Sequence, residues 1–270
     1  VAREFDPGYG SEPFRSLVAD APGASAYPQD DFRLEWGPVF HRGRLDGSAR
    51  ILLIGQDPAQ HETILRRILV GEAGHRVQGF LFKLGIERSY VMVNTYLYSV
   101  FGQGGGNRHR DSKPIARYRN RWLQALLQSG NVEAVVTLGT LAANAWKLFL
   151  ESPEGAGAQG LKLAPIRHPT QPEAAGGTAA DKAAATAALL DNWNQALELL
   201  HPLQHPDKVK QLRRYGDAFK PGEKRPIPDF DTPPWAPEWM RVDDGWADRP
   251  GTGSEKRRSI LVRVPEAFVP

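Results

Sequence analysis

Ile51-Leu-Leu-Ile-Gly-Gln-Asp-Pro-Ala-Gln60 is the stretch that decides the fold class of this 270-residue chain. Its apolar, β-branched start reads as a buried strand, and it stops at a turn that carries one uncompensated acid, Asp57. Two later runs end in the same way. Tyr90-Val-Met-Val-Asn94-Thr95 delivers an amide, and Leu161-Lys-Leu-Ala-Pro-Ile-Arg-His168-Pro169-Thr170 delivers an imidazole. Parallel strands of an open α/β sheet end on one edge, where ligands bind, so the acid, the amide and the histidine are expected to converge. Singly, each has a plainer reading: an Asp before Pro is a turn or cap residue, an Asn after a strand a turn former, and a loop His a solvated side chain.

Working outward, strands over 49–55, 90–96, 132–139 and 161–167 alternate with helical patterns. A short helix around Glu62–Leu69 is broken by Val70-Gly-Glu-Ala-Gly74, and a second runs to Leu84 with Gly85 as its C-cap. Gly102–Gly106 reads as a glycine-rich loop. Pro114 opens a helix whose Ile115, Tyr118, Trp122 and Leu126 recur at helical spacing, and further helices cover Thr140–Leu150 and Asp181–Leu200. The alternation predicts an α/β fold, a three-layer α/β/α sandwich around a four-stranded, mostly parallel central sheet, within residues 49–200.

Residues 1–48 are expected to be an N-terminal segment packed on the core, with a short helix at Phe14–Ala19. Residues 201–270 read as a Pro/Trp-rich extension wrapping the core, because Trp235, Trp239 and Trp246 are costly to leave in water. A strand-like run, Ser259–Val264, lies within it. A disordered or partner-binding tail is the rival reading.

Composition excludes several chemistries. An apolar content of 41% can fill a sizeable core, and the absence of cysteine removes disulfides, thiolate nucleophiles and Cys-ligated zinc or iron–sulfur centres. No apolar run reaches the ~20 residues of a membrane helix, and Val1-Ala-Arg-Glu-Phe5 has no signal-peptide core, so a cytoplasmic location is expected. The glycine run fails Gly-x-Gly-x-x-Gly at Asn107, and no phosphate-binding Gly-x-x-x-x-Gly-Lys-Ser/Thr occurs. His61-Glu62 begins like a zinc-protease helix, but Leu65 stands where the second ligand is needed. His75 reads as a surface residue rather than a ligand. With no Gly-x-Ser-x-Gly turn either, metal-free acid or base chemistry remains, with an amide that reads a flat polar edge.

The net charge of +3 says little about partners, but its distribution says more. Residues 108–121 hold Arg108, Arg110, Lys113, Arg117, Arg119 and Arg121 against Asp111, and Lys208–Arg225 holds seven cations. Either patch alone is equally a solvated helix face or a polar linker. Beside a candidate site such patches suit a polyanionic substrate.

These residues together resemble the uracil-DNA glycosylase superfamily. Gly55-Gln56-Asp57-Pro58 is similar to the water-activating motif of the uracil-specific branch, Asn94-Thr95-x-Leu97 to its uracil-reading strand end, and His168-Pro169-Thr170 to its His-Pro-Ser motif. Val70-Gly71-Glu-Ala-Gly74, continuing to Leu84-Gly85-Ile86 and Asn94, resembles the iron–sulfur branch instead. The likeness covers about residues 49–200. The chain lacks the cluster cysteines of one branch and has Ala59 where the other has Tyr, so it resembles an unclassified, cluster-free branch.

The resemblance implies a monofunctional DNA-repair hydrolase that flips uracil out of DNA and cleaves its N-glycosidic bond, leaving an abasic site. Asp57 and His168 would be catalytic, and Gln56, Asn94, Ala59 and His61 would line the base. Arg108, Arg110, Arg117, Arg119, Arg121, Thr170 and Gln171 would contact DNA. No metal and no cofactor is expected. The implied partner is uracil-containing DNA, single- or double-stranded, with no membrane, a monomeric chain, and a cytoplasmic, nucleoid-associated location of bacterial type. Phe80, Tyr96, Tyr98 and Phe101 are candidates for the aromatic that stacks on the base, since Leu69 occupies the position where the iron–sulfur motif places it. The loop Gln171–Gly177 shows no obvious apolar wedge. A glycosylase for another deaminated or damaged base, and a non-catalytic binder of uracil-containing or single-stranded DNA, are the alternatives.

Overall fold

The structure, a computed structural model, describes residues 8–250 and 258–268. Five strands form the central sheet: β1 (His41–Gly43), β2 (Ile51–Gly55), β3 (Tyr90–Asn94), β4 (Ala134–Leu138) and β5 (Lys162–Ile166), in the order β1-β3-β2-β4-β5. β2 to β5 are parallel, and β1 runs antiparallel to β3. The expected four strands are present, and β1 corrects the count. It has no apolar signature, because His41 and Arg42 are polar and yet buried. Arg42 Nη1 donates to Asp231 Oδ2 at 2.9 Å and to Gln78 Oε1 at 3.2 Å. What makes β1 tolerable therefore lies 189 residues along the chain.

The helices are α1 (Phe14–Ala19), α2 (Gln60–Leu65), α3 (Glu72–Lys83), α4 (Gly102–Arg108), α5 (Lys113–Leu127), α6 (Thr140–Leu150), α7 (Gln171–Ala174), α8 (Ala179–Leu200) and α9 (Trp239–Val242). The period-2 alternation of β2 divides two cores. Ile51 and Leu53 pack with Phe80, Leu81, Trp193 and Leu197 of α3 and α8. Leu52 and Ile54 pack with Ile115, Trp122, Trp146 and Phe149 of α5 and α6. The three layers follow directly. Each fully buried aliphatic side chain contributes roughly 1.5–3 kcal/mol, so β2 is anchored from both faces and its C-terminal end is a rigid platform.

α3 ends one residue earlier than expected, with Leu84 as its C-cap, and Gly85 follows it at φ +76°, the left-handed position that closes the helix. The glycine run at 102–106, by contrast, is helical as α4 rather than a loop. Glycine disfavours helix by about 1 kcal/mol per residue, and tertiary contacts outweigh it here. The Tyr96 hydroxyl donates to the Gly106 carbonyl at 2.6 Å, and a Cβ on Gly105 would stand 3.1 Å from Val100 Cγ1, so the helix lies close on the loop after β3.

Beyond α8 the chain runs along the core. The Asp207 carboxylate accepts the backbone N–H groups of Glu87, Arg88 and Ser89 at 2.6–3.0 Å, and Glu133 accepts those of Gln204 and His205 at 2.6 and 3.0 Å. Trp239 and Trp246 are buried with Leu65, Val70 and Ile227 in a satellite cluster, whereas Trp235, expected to be covered, is 59% exposed. β6 (Ala247–Asp248) and β7 (Leu261–Val262), the latter within the expected run Ser259–Val264, form a two-stranded antiparallel ribbon. His75 is another correction. It is buried on α3, where its carbonyl accepts the Arg225 N–H at 3.0 Å.

Candidate active site

Register places the three strand ends on one edge. Gly55 is paired with Asn94, and Leu138 with Ile166. Asp57 and His168 each stand two residues beyond their strand, and Asn94 is the last residue of its own. From β3 to β5 there are three inter-strand steps, about 14 Å at ~4.8 Å each, a span that admits a flat base and its sugar. Gly55 leaves room for the amide, because a Cβ would fall 2.3 Å from Asn94 Oδ1 and displace that side chain.

The loop after β2 is held by backbone contacts. Tyr96 N–H donates to the Gln56 carbonyl and Thr95 N–H to that of Gly55, both at 2.9 Å. Asp57 Oδ2 accepts the Val100 N–H at 3.0 Å. Burial pushes the Asp57 carboxyl up to about 6, against the Val100 and Gln56 hydrogen bonds and the Arg249 charge that draw it down. Ala59 is the N-cap of α2, and its N–H is taken by Glu62 Oε2 at 3.1 Å. The other Glu62 oxygen takes the Val70 N–H, also at 3.1 Å, which ties the Asp57 loop to the strained Leu69, φ +56°.

At the other end of the edge, Thr170 N–H and hydroxyl lie 3.4 and 3.1 Å from His168 Nδ1. A ring nitrogen that accepts an N–H carries no proton of its own, so the neutral ring has its hydrogen on Nε2. Burial pushes His168 down to about 4, opposed by Glu173. The imidazole is therefore neutral at ordinary pH, with Nε2–H as a donor. Its loop is clamped by Arg76, which is buried on α3 and donates to the Pro169 carbonyl, to Glu72 and to both oxygens of Glu173.

Asn94 is buried, and its Nδ2 has no hydrogen-bond partner. It lines a small cavity with Tyr27, Leu97 and Arg119. A buried unpaired donor costs about 1–3 kcal/mol, a cost that a bound water or the acceptor of a ligand removes.

The remaining expected residues divide. Thr170 is engaged locally, orienting His168, whereas Gln171 gives only its backbone N–H to the His168 carbonyl at 2.9 Å and leaves its side-chain Oε1 without a hydrogen-bond partner. His61 is turned to the extension, edge-on to Trp246 at 4.7 Å, with its Nε2 accepting the Ala247 N–H at 3.3 Å. Phe80, Tyr96 and Tyr98 are buried, and Phe101, next to Val100, is the half-buried aromatic of the four.

Among the cations, Arg108, Arg110, Arg117 and Arg121 are exposed. Arg108 pairs with Asp31, Arg110 with Asp111 and Arg121 with Asp20, surface pairs worth about 0–1 kcal/mol that a phosphate can displace. Arg119 corrects the expectation. It is 4% exposed under Ala145, whose carbonyl it reaches at 3.5 Å, and burial pushes it down to about 10. Its place on the helix gave the signal, since 115, 119, 122 and 126 lie on one stripe. Arg76 and Glu62 were missed because their decisive partners lie on other segments: the Pro169 carbonyl and Glu173 for Arg76, and the Val70 N–H for Glu62, whose bond to the Ala59 N–H is a local helix cap. No group of three or more His, Asp or Glu side chains among the described residues is arranged to hold a metal ion, and none of the described helices is long and apolar enough to cross a membrane.

The family model for the uracil DNA glycosylase superfamily matches residues 42–220. The match begins at Arg42 in β1 and ends beyond α8, so it takes in every strand end described above.

Proposed function

The chain belongs to the uracil DNA glycosylase superfamily, a family of DNA glycosylases, and from that premise we propose that it hydrolyses the N-glycosidic bond of uracil in DNA and leaves an abasic site. The observation that carries the reading is the buried, unpartnered Asn94 amide nitrogen, in register with Gly55, which itself stands two residues upstream of Asp57. An amide at this edge accepts from uracil N3–H and donates to O4, a pattern that cytosine inverts.

Cleavage of a pyrimidine glycosidic bond develops positive charge on the sugar and negative charge on the departing base. Asp57 supplies a carboxylate for the first and orients the attacking water, while neutral His168 gives its Nε2–H to the uracil O2 as charge builds there. Neither residue forms a covalent bond to the sugar, so the backbone is left intact. Arg108, Arg110 and Arg117 offer phosphate contacts close to the site. α5 runs back from the edge where β3 ends, which leaves Arg121 about 12 Å further from it than Lys113. Phe101 carries the Arg33 and Arg258 guanidinium groups over its ring at 4.2 and 5.1 Å, so a base stacks on it only in place of the exposed Arg258. The substrate is uracil-containing DNA in single- or double-stranded form, and the protein works as a monomer in the cytoplasm without metal or cofactor.

A labelled oligonucleotide with one uracil, treated with alkali after incubation, tests this. We expect strand breakage only after alkali, with a single-turnover rate that is flat above neutrality and falls tenfold per unit below about pH 6, since Asp57 acts ionised and its pKa stands at about 6. His168, already neutral above about 4, adds no second limb in that range. No excision at any pH would defeat the proposal.

A second reading, a glycosylase for another deaminated or damaged pyrimidine, draws on Ala59. The side chains that could wall off C5 in place of a Tyr are engaged elsewhere: His61 with Trp246, the Tyr96 hydroxyl with the Gly106 carbonyl, and Tyr98 with Tyr27. Thymine and 5-bromouracil oligonucleotides run beside uracil separate the two readings.

A further inference from the structure

The C-terminal extension brings a cation to Asp57 that the sequence gives no reason to place there. β6 docks on the first turn of α2, with Gln60 Nε2 donating to the Ala247 carbonyl at 3.2 Å and the Ala247 N–H to His61 Nε2 at 3.3 Å. Trp246 fixes this approach. It is 1% exposed, packed edge-on to His61 and Trp239 with ring centroids at 4.7 and 5.8 Å, and its Nε1 donates to the Met240 carbonyl at 3.0 Å.

Gln60 stands three residues beyond Asp57, at most ~11 Å of chain, and Arg249 two beyond Ala247, at most ~7 Å. Arg249 is exposed, and among the described residues it forms no ion pair, whereas its neighbour Asp248 is neutralised by Arg263 at 2.6 Å. The charged and titratable groups that face the Asp57 carboxylate are Glu62 of α2, the Tyr96 hydroxyl beyond β3, and Arg249 from the extension. An exposed arginine is ordinarily just solvated. This one is carried to the mouth of the site by a strand anchored in a buried cluster, and its charge is left unbalanced there.

We propose that the extension forms one bank of the nucleic-acid cleft and that Arg249 binds the phosphate beside the reacting nucleotide. The identity of that nucleotide rests on the glycosylase reading; the phosphate contact does not. A guanidinium in this place grips the backbone as the base leaves the stack, and it keeps the phosphate's negative charge from adding to that of Asp57.

The test uses the full chain with Arg249→Gln and Arg249→Lys, an unmodified labelled duplex, and the same duplex with one uracil, titrated over a range of salt. The Gln variant should lower the slope of log affinity against log salt by about 0.9, the loss of one phosphate contact, and Lys should restore it. The acid limb of uracil excision should also move to higher pH in the Gln variant, a shift that a purely structural role would not produce. An unchanged slope in Arg249→Gln, or a wild type that binds neither duplex, would overturn the assignment. A changed slope in a protein that excises no uracil would overturn the glycosylase reading and leave Arg249 as a phosphate ligand.

Discussion

The ends of β2 and β5 present an acid and an imidazole by opposite means. Asp57 has one backbone N–H at 3.0 Å, the Gln56 side-chain hydrogen bond and the charge of Arg249 beside it and, among the described residues, no ion pair. His168, which carries no charge at neutral pH, stands on a loop clamped by a buried guanidinium with two carboxylates around it. The acid is left without an ion pair at one end, and ion pairing is concentrated around the loop of the neutral imidazole at the other. Stability and chemistry are thus separable at one end of the edge and tied together at the other.

Asp57→Asn should break this contrast most visibly. Removing the carboxylate is expected to slow excision on the order of a thousandfold, because stabilisation of the charge that develops in the transition state is lost. The same change should stabilise the fold at neutral pH. A carboxyl raised to about 6 costs stability above that pH and costs nothing below about 3.8, its ordinary value. Relief of that cost is about 1–3 kcal/mol, trimmed by the partial exposure of the side chain, or a few degrees in Tm. Melting curves at pH 7.5 and pH 4 check the sign: the gain should be present at the first and fade at the second. A lower Tm at pH 7.5 would mean that Asp57 is a structural residue.

His168→Ala sharpens the other half. Loss of one positioned donor is typically about a hundredfold in rate, and no stability gain should accompany it, because a neutral ring is removed. Single-turnover excision and a melt of the same sample suffice. A wild-type rate would remove His168 from the reaction, and a rise in Tm like that of Asp57→Asn would erase the difference between the two strand ends.

The two ends also differ in how much of them could be read in the sequence. β2, β3, β4 and β5 were legible because each is an apolar run cut off by a turn, and parallel topology then puts Asp57, Asn94 and His168 on one edge without further information. β1 was not, since His41 and Arg42 look like a polar loop until Asp231 arrives from the extension. Arg119 was legible in principle: the helical period that identified Ile115 and Trp122 also claims position 119, and its charge masked the pattern. Arg76 and Arg249 were illegible, because each acts on a group that only the tertiary structure supplies, and Glu62 was legible only as a helix cap, not as the tie to Val70. The helical glycine run shows the same limit from the other side, with packing against Tyr96 and Val100 overriding local preference.

The smallest expected effect isolates the clamp. Arg76→Lys keeps one charge but cannot span the Pro169 carbonyl, Glu72 and both oxygens of Glu173 at once, because an ammonium lacks the planar fork of a guanidinium. The His168 loop should then loosen, with a loss on the order of tenfold in kcat, little change in KM, and a Tm lower by a few degrees as part of the buried network is left unpaired. If Arg76 acts only by positioning the imidazole, this loss should vanish in the His168→Ala background, where nothing remains to be positioned. A double variant that is slower than His168→Ala by the same tenfold would show Arg76 acting on the substrate or on the fold independently, and the separation between an acid without an ion pair at one strand end and a braced donor at the other would no longer describe how this edge works.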